Sequence, residues 1–303
     1  MRYLFRYKPA RVIDTQPLGT KPLLRAIRVY NAKYNTKVRL EKYITDVPTK
    51  GAVHFFSRMQ RLSDRERKDL DVMAIAPFLE KGQTEKEFWY KHTKLPAKQI
   101  HILQNPFLRK EFFPYIGKNR EETAEKNGAF SIPMTPFSSA KKQTLSLKKN
   151  AFLITFILGA NPPKKALYSY IEKLQKMSFT IPCFAVFCGC TEDIHQLCNP
   201  FSTSQKGSIC THILPLQTAS TIAPLIHRSD LLIMKSGGQT VMEALGVATG
   251  DMYIHSEHTE GIQGIACWEK NNAEYLMQKR GAKIVSTKSF SSLLQESIEK
   301  HLA

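Results

Sequence analysis

Asp230-Leu-Leu-Ile-Met-Lys-Ser-Gly-Gly-Gln-Thr-Val-Met-Glu-Ala-Leu245 decides the fold of this chain. The apolar run Leu231 to Met234 stops at Ser236-Gly237-Gly238. A helical pattern starts at once, with Thr240 placed to cap it and Glu243 a turn inside. Strand, glycine pair and helix in this order suit an anion. Glycines let backbone N–H groups come close, and the helix N-terminus adds partial positive charge. A carboxylate one turn in would repel the same phosphate. Glu243 therefore suits a vicinal diol such as a ribose, and phosphate with ribose means a nucleotide. A plain helix cap with turn-shaping glycines is the alternative; Thr240 and Glu243 after an Asp-led strand weigh toward the nucleotide.

The rest of the chain sets the frame. Its 303 residues suffice for two domains with sizeable cores. The net charge of +18 is uneven: residues 1–150 hold 31 Lys+Arg against 14 Asp+Glu, and residues 151–303 hold 13 against 12. The basic half suits an anionic surface, membrane or nucleic acid. It contains no recognised nucleic-acid reader motif, which disfavours that partner. Six cysteines, all in the second half, show no C-x-x-C spacing. Cys183 and Cys188 lie in an apolar run and read as small core residues. Cys188-Gly-Cys190 is too close for a two-ligand zinc arm. No secretory signal or membrane span is visible, so a reduced, cytoplasmic setting is expected.

Short apolar runs alternate with amphipathic stretches. Strands are expected at 11–15, 38–44, 71–76, 100–103, 152–158, 183–187, 213–216, 231–234, 252–255 and 283–285. Helices are expected at 23–34, 84–93, 164–177, 219–227, 240–246, 268–280 and 291–302. Such alternation predicts an α/β chain of two Rossmann-like, doubly wound domains. Residues 118–150, polar and carrying Gly128, Pro133 and Pro136, interrupt the pattern. The expected layout is a partial N-terminal acceptor-side domain over 1–117, a linker over 118–150 and a nucleotide-sugar domain over 151–303.

Further motifs fall at strand ends in the second half. Leu158-Gly159-Ala-Asn-Pro-Pro163 follows a strand, and Gly159 would admit a ligand to the backbone; a turn starting a helix fits equally. Trp268-Glu269-Lys-Asn-Asn272-Ala sets a carboxylate and an amide three residues apart, a pair suited to sugar hydroxyls. A helix whose first turn is acidic fits it too.

Taken in order, the Gly159 loop, Leu214-Pro215, Ser229-Asp230, Ser236-Gly-Gly-Gln-Thr-Val-Met-Glu243 and Trp268-Glu269-x-x-Asn272 resemble a known family. They look like the C-terminal domain of the GT-B glycosyltransferases that include the lipid II-forming N-acetylglucosaminyltransferase and the diacylglycerol glycosyltransferases. The resemblance implies a UDP-sugar donor, as substrate and with no cofactor or metal. It would be held by Gly159, Ser236, Gly237, Gly238, Gln239, Thr240, Glu243, Glu269 and Asn272. Ser236 to Gly238 would line the diphosphate and ribose, Glu243 the ribose hydroxyls, and Glu269 the sugar. The first half is similar through Asp14-Thr-Gln-Pro-Leu-Gly-Thr20, Ile44-Thr-Asp46 and Gln104-Asn105-Pro106. That similarity implies a lipid acceptor at a membrane surface.

The chain also departs from the family. Relatives carry a glycine-rich loop with a proposed base ahead of the strand at 11–15, and the first domain is therefore expected to be incomplete. Asp46 and His54 are the candidates for a base in the first half. Trp268 stands where relatives usually have Gln, and Gly246-Val-Ala-Thr-Gly-Asp251 where they tend to have Gly-Lys-Pro or Gly-x-Pro. The expected activity is transfer of a hexose or N-acetylhexosamine from UDP to a lipid hydroxyl by a peripheral membrane protein. The alternative is an inactive or partner-dependent remnant that binds nucleotide or a second chain supplying the missing units.

Overall fold

The computed structural model describes residues 2–302 apart from positions 17, 50, 54–55, 104–107, 125–128, 136–142, 160–161, 191–208, 216–218, 258–260 and 267–268. The chain divides into two compact units, Met1–Pro106 and Phe107–Ala303.

In the first unit, strands β1 (Val12–Asp14), β2 (Leu40–Tyr43), β3 (Leu70–Ala74) and β4 (Ile100–Ile102) form a parallel sheet in chain order. Unreversed order and right-handed crossovers send the connections to one face. Helix α1 (Arg2–Tyr7) precedes the sheet, and α2 (Thr20–Tyr34), α3 (Asp64–Arg67) and α4 (Glu85–Thr93) connect its strands. Leu24, Ile27 and Tyr30, a helical turn apart, are buried on α2. They share one core with Leu40, Leu70 and Val72 of the strands and Phe88 and Trp89 of α4. Helix α4 starts where Thr84 and Glu87 form a reciprocal capping box. At the carboxyl ends of β1 and β2 a buried ion pair joins Lys42 Nζ to Asp14 Oδ2 at 2.9 Å. Asp14 also accepts from Gln16 N and Thr20 Oγ1, so the pair is hydrogen-bonded as burial requires.

The second unit opens with a 3-10 helix, Lys110–Tyr115. The stretch expected as a linker carries an antiparallel hairpin, β5 (Phe130–Met134) and β6 (Gln143–Leu147). Its Phe130, Ile132, Leu145 and Leu147 are buried at period two. Pro133 is tolerated because each strand of a two-stranded sheet has a free edge.

Six parallel strands then build the main sheet: β7 (Phe152–Ile157), β8 (Cys183–Cys190), β9 (Ile209–Pro215), β10 (Leu231–Met234), β11 (Asp251–His255) and β12 (Lys283–Val285). Their spatial order is β9-β8-β7-β10-β11-β12, which reverses direction between β7 and β10. Helices α5 (Lys164–Lys176) and α9 (Phe290–Leu302) share one apolar core with Ile154, Phe156, Leu231, Ile233 and Tyr253. In it Phe156 and Phe187 stack at 4.2 Å, and Tyr170 meets Phe290 edge-on at 4.9 Å. The intervening strand residues Leu153, Thr155, Leu232 and Met234 are equally buried and point to the other face. Helices α6 (Ala219–Arg228), α7 (Gly238–Val247) and α8 (Lys270–Arg280) are the other helices of the unit among its described residues. Buried apolar residues on both faces of the strands are what a doubly wound sheet requires. Among the described residues no helix is long and apolar enough to cross a membrane.

One local expectation is corrected. Thr240 does not cap α7. The helix starts two residues earlier, at Gly238, and Gly237 is its N-cap, with no side-chain cap bond. A glycine N-cap offers no side-chain oxygen of its own, which leaves the approach to the helix N-terminus more open to an external anion than a Thr cap would.

Candidate functional site

Ligands of open α/β sheets bind beyond the carboxyl ends of the strands, where the strand order reverses. Here that place lies between β7 and β10, and it brings together two loops that are distant in sequence. Gly159 follows β7 with φ of +88°, a left-handed conformation that favours glycine. Lys235 follows β10. A Cβ added at Gly159 would lie 3.9 Å from Lys235 Cδ, so the two loops are neighbours. Lys235 N donates to Ile157 O at 3.0 Å, and its ammonium pairs with Glu257 at 2.7 Å.

Ser236 is the buried end of the second loop, at 1% exposure. Its Oγ has no hydrogen-bond partner among the described residues. An unpaired buried hydroxyl costs stability, and its position at a helix N-terminus makes it a donor awaiting an acceptor. The loop is held from behind: Asn272, buried on α8, donates from Nδ2 to Ser236 O at 3.0 Å. A Cβ added at Gly237 would lie 3.9 Å from Glu269 Oε1. Glu269 is the residue preceding α8 and is half-buried. The structure thus brings Gly159, Ser236, Gly237, Gly238, Glu269 and Asn272 into one neighbourhood.

Gln239 and Thr240 lie in the first turn of α7, exposed and half-buried respectively. Glu243 lies further along α7, its side chain 3% exposed. Its carboxylate is already engaged. Arg109 donates from Nε to Oε1 at 2.6 Å and from a terminal nitrogen to Oε2 at 3.0 Å. Gln239 Nε2 adds a bond to Oε1 at 2.9 Å. Hydrogen bonding to Glu243 pushes the Arg109 guanidinium above its ordinary value, against the opposing effect of burial. Sequence reasoning missed Arg109, which is 134 positions from its partner and carries no local signal.

In the first unit, Asp46 is half-buried just beyond β2. With Thr15, Gln16, Lys42 and Thr45 it lines a cavity of about 60 Å³ at the carboxyl edge of the sheet. His54 lies outside the described residues, as do Trp268, Asn105 and Pro106. Asp69-Leu-Asp71 has the spacing of an Asp-x-Asp metal motif, but its carboxylates face cations of their own: Asp69 takes Arg28, and Asp71 takes Arg39 in a two-point pair. Among the described residues no group of His, Cys, Asp and Glu side chains is placed to hold a metal ion.

No family model and no curated protein matches the sequence. Solved structures do. MurG from Acinetobacter baumannii is similar over 99% of this chain and 70% of its own, at 13% identity and a TM-score of 0.55. Arabidopsis thaliana UGT89C1, solved with UDP-L-rhamnose, is similar over 92% of this chain and 62% of its own, at 12% identity and 0.45. The first of these scores reports a shared fold. The architecture is the two-unit Rossmann-like fold of the GT-B glycosyltransferases.

Proposed function

We propose that this protein is a GT-B glycosyltransferase that binds a UDP-sugar at the β7/β10 switch point of its second unit. It would transfer a hexose or N-acetylhexosamine to a lipid hydroxyl at a membrane surface. The observation that carries the reading is the buried Ser236 hydroxyl, without a hydrogen-bond partner among the described residues, beside the glycine N-cap of α7 at the topological switch. In this reading the diphosphate takes the first N–H groups of α7 and Ser236 Oγ, and the same donors stabilise it as the leaving group. Gly159 leaves room for the ligand, and Asn272 fixes the Ser236 carbonyl so that the loop does not yield. Glu243 takes the ribose hydroxyls and Glu269 the sugar. Asp46 is the candidate base for the acceptor hydroxyl. The fold shared with MurG supports this reading. The acceptor-side reading is supported by the basic first half.

One observation favours the second reading, an inactive or partner-dependent remnant that binds nucleotide or a second protein: the carboxylate assigned to ribose already pairs with Arg109.

Substitution of Ser236 by Ala tests the site. It deletes an unsatisfied buried hydroxyl, so thermal stability is expected to stay level or to rise by about 1 kcal/mol. UDP affinity, measured by calorimetry, is expected to fall about tenfold. A wild-type chain that binds no UDP would remove the donor-binding reading and favour a remnant that binds a second protein. UDP affinity unchanged in the variant would remove Ser236 from the site.

A further inference from the structure

The ion pair on Glu243 has a chemical form that bears on how the site fills. Arg109 presents one N–H to each carboxylate oxygen, at 2.6 and 3.0 Å. A vicinal diol presents the same pattern, one O–H to each oxygen. The pair is not sealed on the arginine side, because the Arg109 side chain is 38% exposed while that of Glu243 is 3% exposed. Arg109 stands at the start of the 3-10 helix Lys110–Tyr115, over the Phe112 ring at 5.2 Å and 3.5 Å from Glu111. It can leave Glu243 without unmaking a core. Gln239 holds Oε1 independently at 2.9 Å, so the carboxylate has a second anchor when the guanidinium departs. Gln239 also belongs to the first turn of α7, which places the Arg109–Glu243–Gln239 cluster beside the N-terminus of that helix.

Resting on the nucleotide reading above, we propose that Arg109 is a donor-responsive binding residue. In the empty site its guanidinium stands in for the ribose diol on Glu243. A nucleoside diphosphate displaces it there and draws the freed cation onto its own diphosphate. The exchange is balanced in charge-assisted hydrogen bonds: Glu243 trades two N–H donors for two O–H donors, and Arg109 trades a carboxylate for a phosphate oxygen pair. A nucleoside without phosphates offers Arg109 no new partner and must displace it uncompensated. The site therefore discriminates nucleoside diphosphate from nucleoside beyond the contacts of the phosphates themselves.

The test compares uridine and UDP on the full chain, by calorimetry, with melting curves to confirm folding. Arg109→Gln is expected to bind uridine about tenfold more tightly, the equivalent of one charge-assisted hydrogen bond, while UDP affinity stays within about threefold of wild type because the displacement cost and the phosphate contact are lost together. Arg109→Lys keeps the cation but loses the two-point fork. It is expected to hold UDP near the wild-type affinity while still binding uridine more tightly. Both ligands weakened in both variants would make Arg109 a brace for Glu243 and overturn the proposal. Both tightened would make it a plug with no role in binding diphosphate, and uridine affinity that does not rise would equally overturn it. Wild-type chain that binds no UDP would instead remove the nucleotide reading itself, an outcome distinct from any change between variants.

Discussion

Gly250 stands in Gly246-Val-Ala-Thr-Gly-Asp251, the segment where the sequence departs from the family it resembles. In the structure this segment is covered by a residue far away in sequence. Arg120 lies across this segment, its Nε on Thr249 Oγ1 at 2.7 Å, a terminal nitrogen on Ser229 O at 2.6 Å and another on Asp230. A Cβ at Gly250 would land on the carbonyl oxygens of Ser229 and Asp230 and on Arg120. Backbone oxygens cannot step aside, so Gly250→Ala is expected to cost about 2–3 kcal/mol in urea unfolding. A loss below about 0.5 kcal/mol, the usual range for surface changes, would show that the packing there is loose. At this scale the site was half legible. Ser236, Gly237 and Glu243 announced themselves because a strand, a glycine pair and a helix N-terminus are contiguous in sequence. Arg109, Arg120 and the Asp14–Lys42 pair did not, because nothing local distinguishes a paired charge from a solvated one.

Among the elements, α6 shows how one helix end is fastened. His227, fully buried, contacts Val247 O with Nδ1 at 2.9 Å, and its Nε2 meets Thr123 Oγ1 at 2.8 Å. It therefore ties the end of α6 to the end of α7 and to the segment before the hairpin. Burial pushes its imidazole below the ordinary value of 6.5, ahead of the opposing hydrogen bonds to backbone carbonyls. The folded state thus holds His227 neutral where the unfolded chain would take up a proton. Stability is complete above about pH 6.5 and is lost as the pH falls below it, because the unfolded state then binds more protons. The unfolding free energy measured against pH is expected to drop on that acid side. The difference between wild type and His227→Gln should be constant above the transition and shrink below it. A difference independent of pH would show that His227 does not titrate apart from its unfolded form. Element positions were well read from periodicity: Leu231–Met234 and Lys283–Val285 fall where expected. The hairpin Phe130–Leu147 was not foreseen, because prolines at 133 and 136 mask a period-two pattern whose burial comes from packing against α6.

Over the whole molecule, charge is segregated along the chain, and the basic residues gather in the first unit and the residues just after it. Helix α1 adds exposed aromatics to this charge: Tyr3 and Tyr7 are 75% and 63% exposed, stack at 6.2 Å and sit among Arg2, Arg6 and Lys8. Tyr rings among cations suit the headgroup region of a bilayer. The chain is expected to sediment with phosphatidylserine vesicles and not with phosphatidylcholine vesicles. It should be released as salt approaches about 1 M, where charges are screened within about 3 Å. Equal binding to both vesicle types would refute the electrostatic attachment. The sequence by itself determined the two-unit α/β fold, since alternating apolar runs and helical faces leave few other ways to bury both. It also determined the strand–Gly-Gly–helix element, whose parts are adjacent in the chain. Only the tertiary structure decided that β7 and β10 are neighbours, that Ser236 Oγ has no partner among the described residues and that Glu243 is met by Arg109. Those facts depend on which distant segments the reversed strand order brings within hydrogen-bonding range, and no local pattern encodes that.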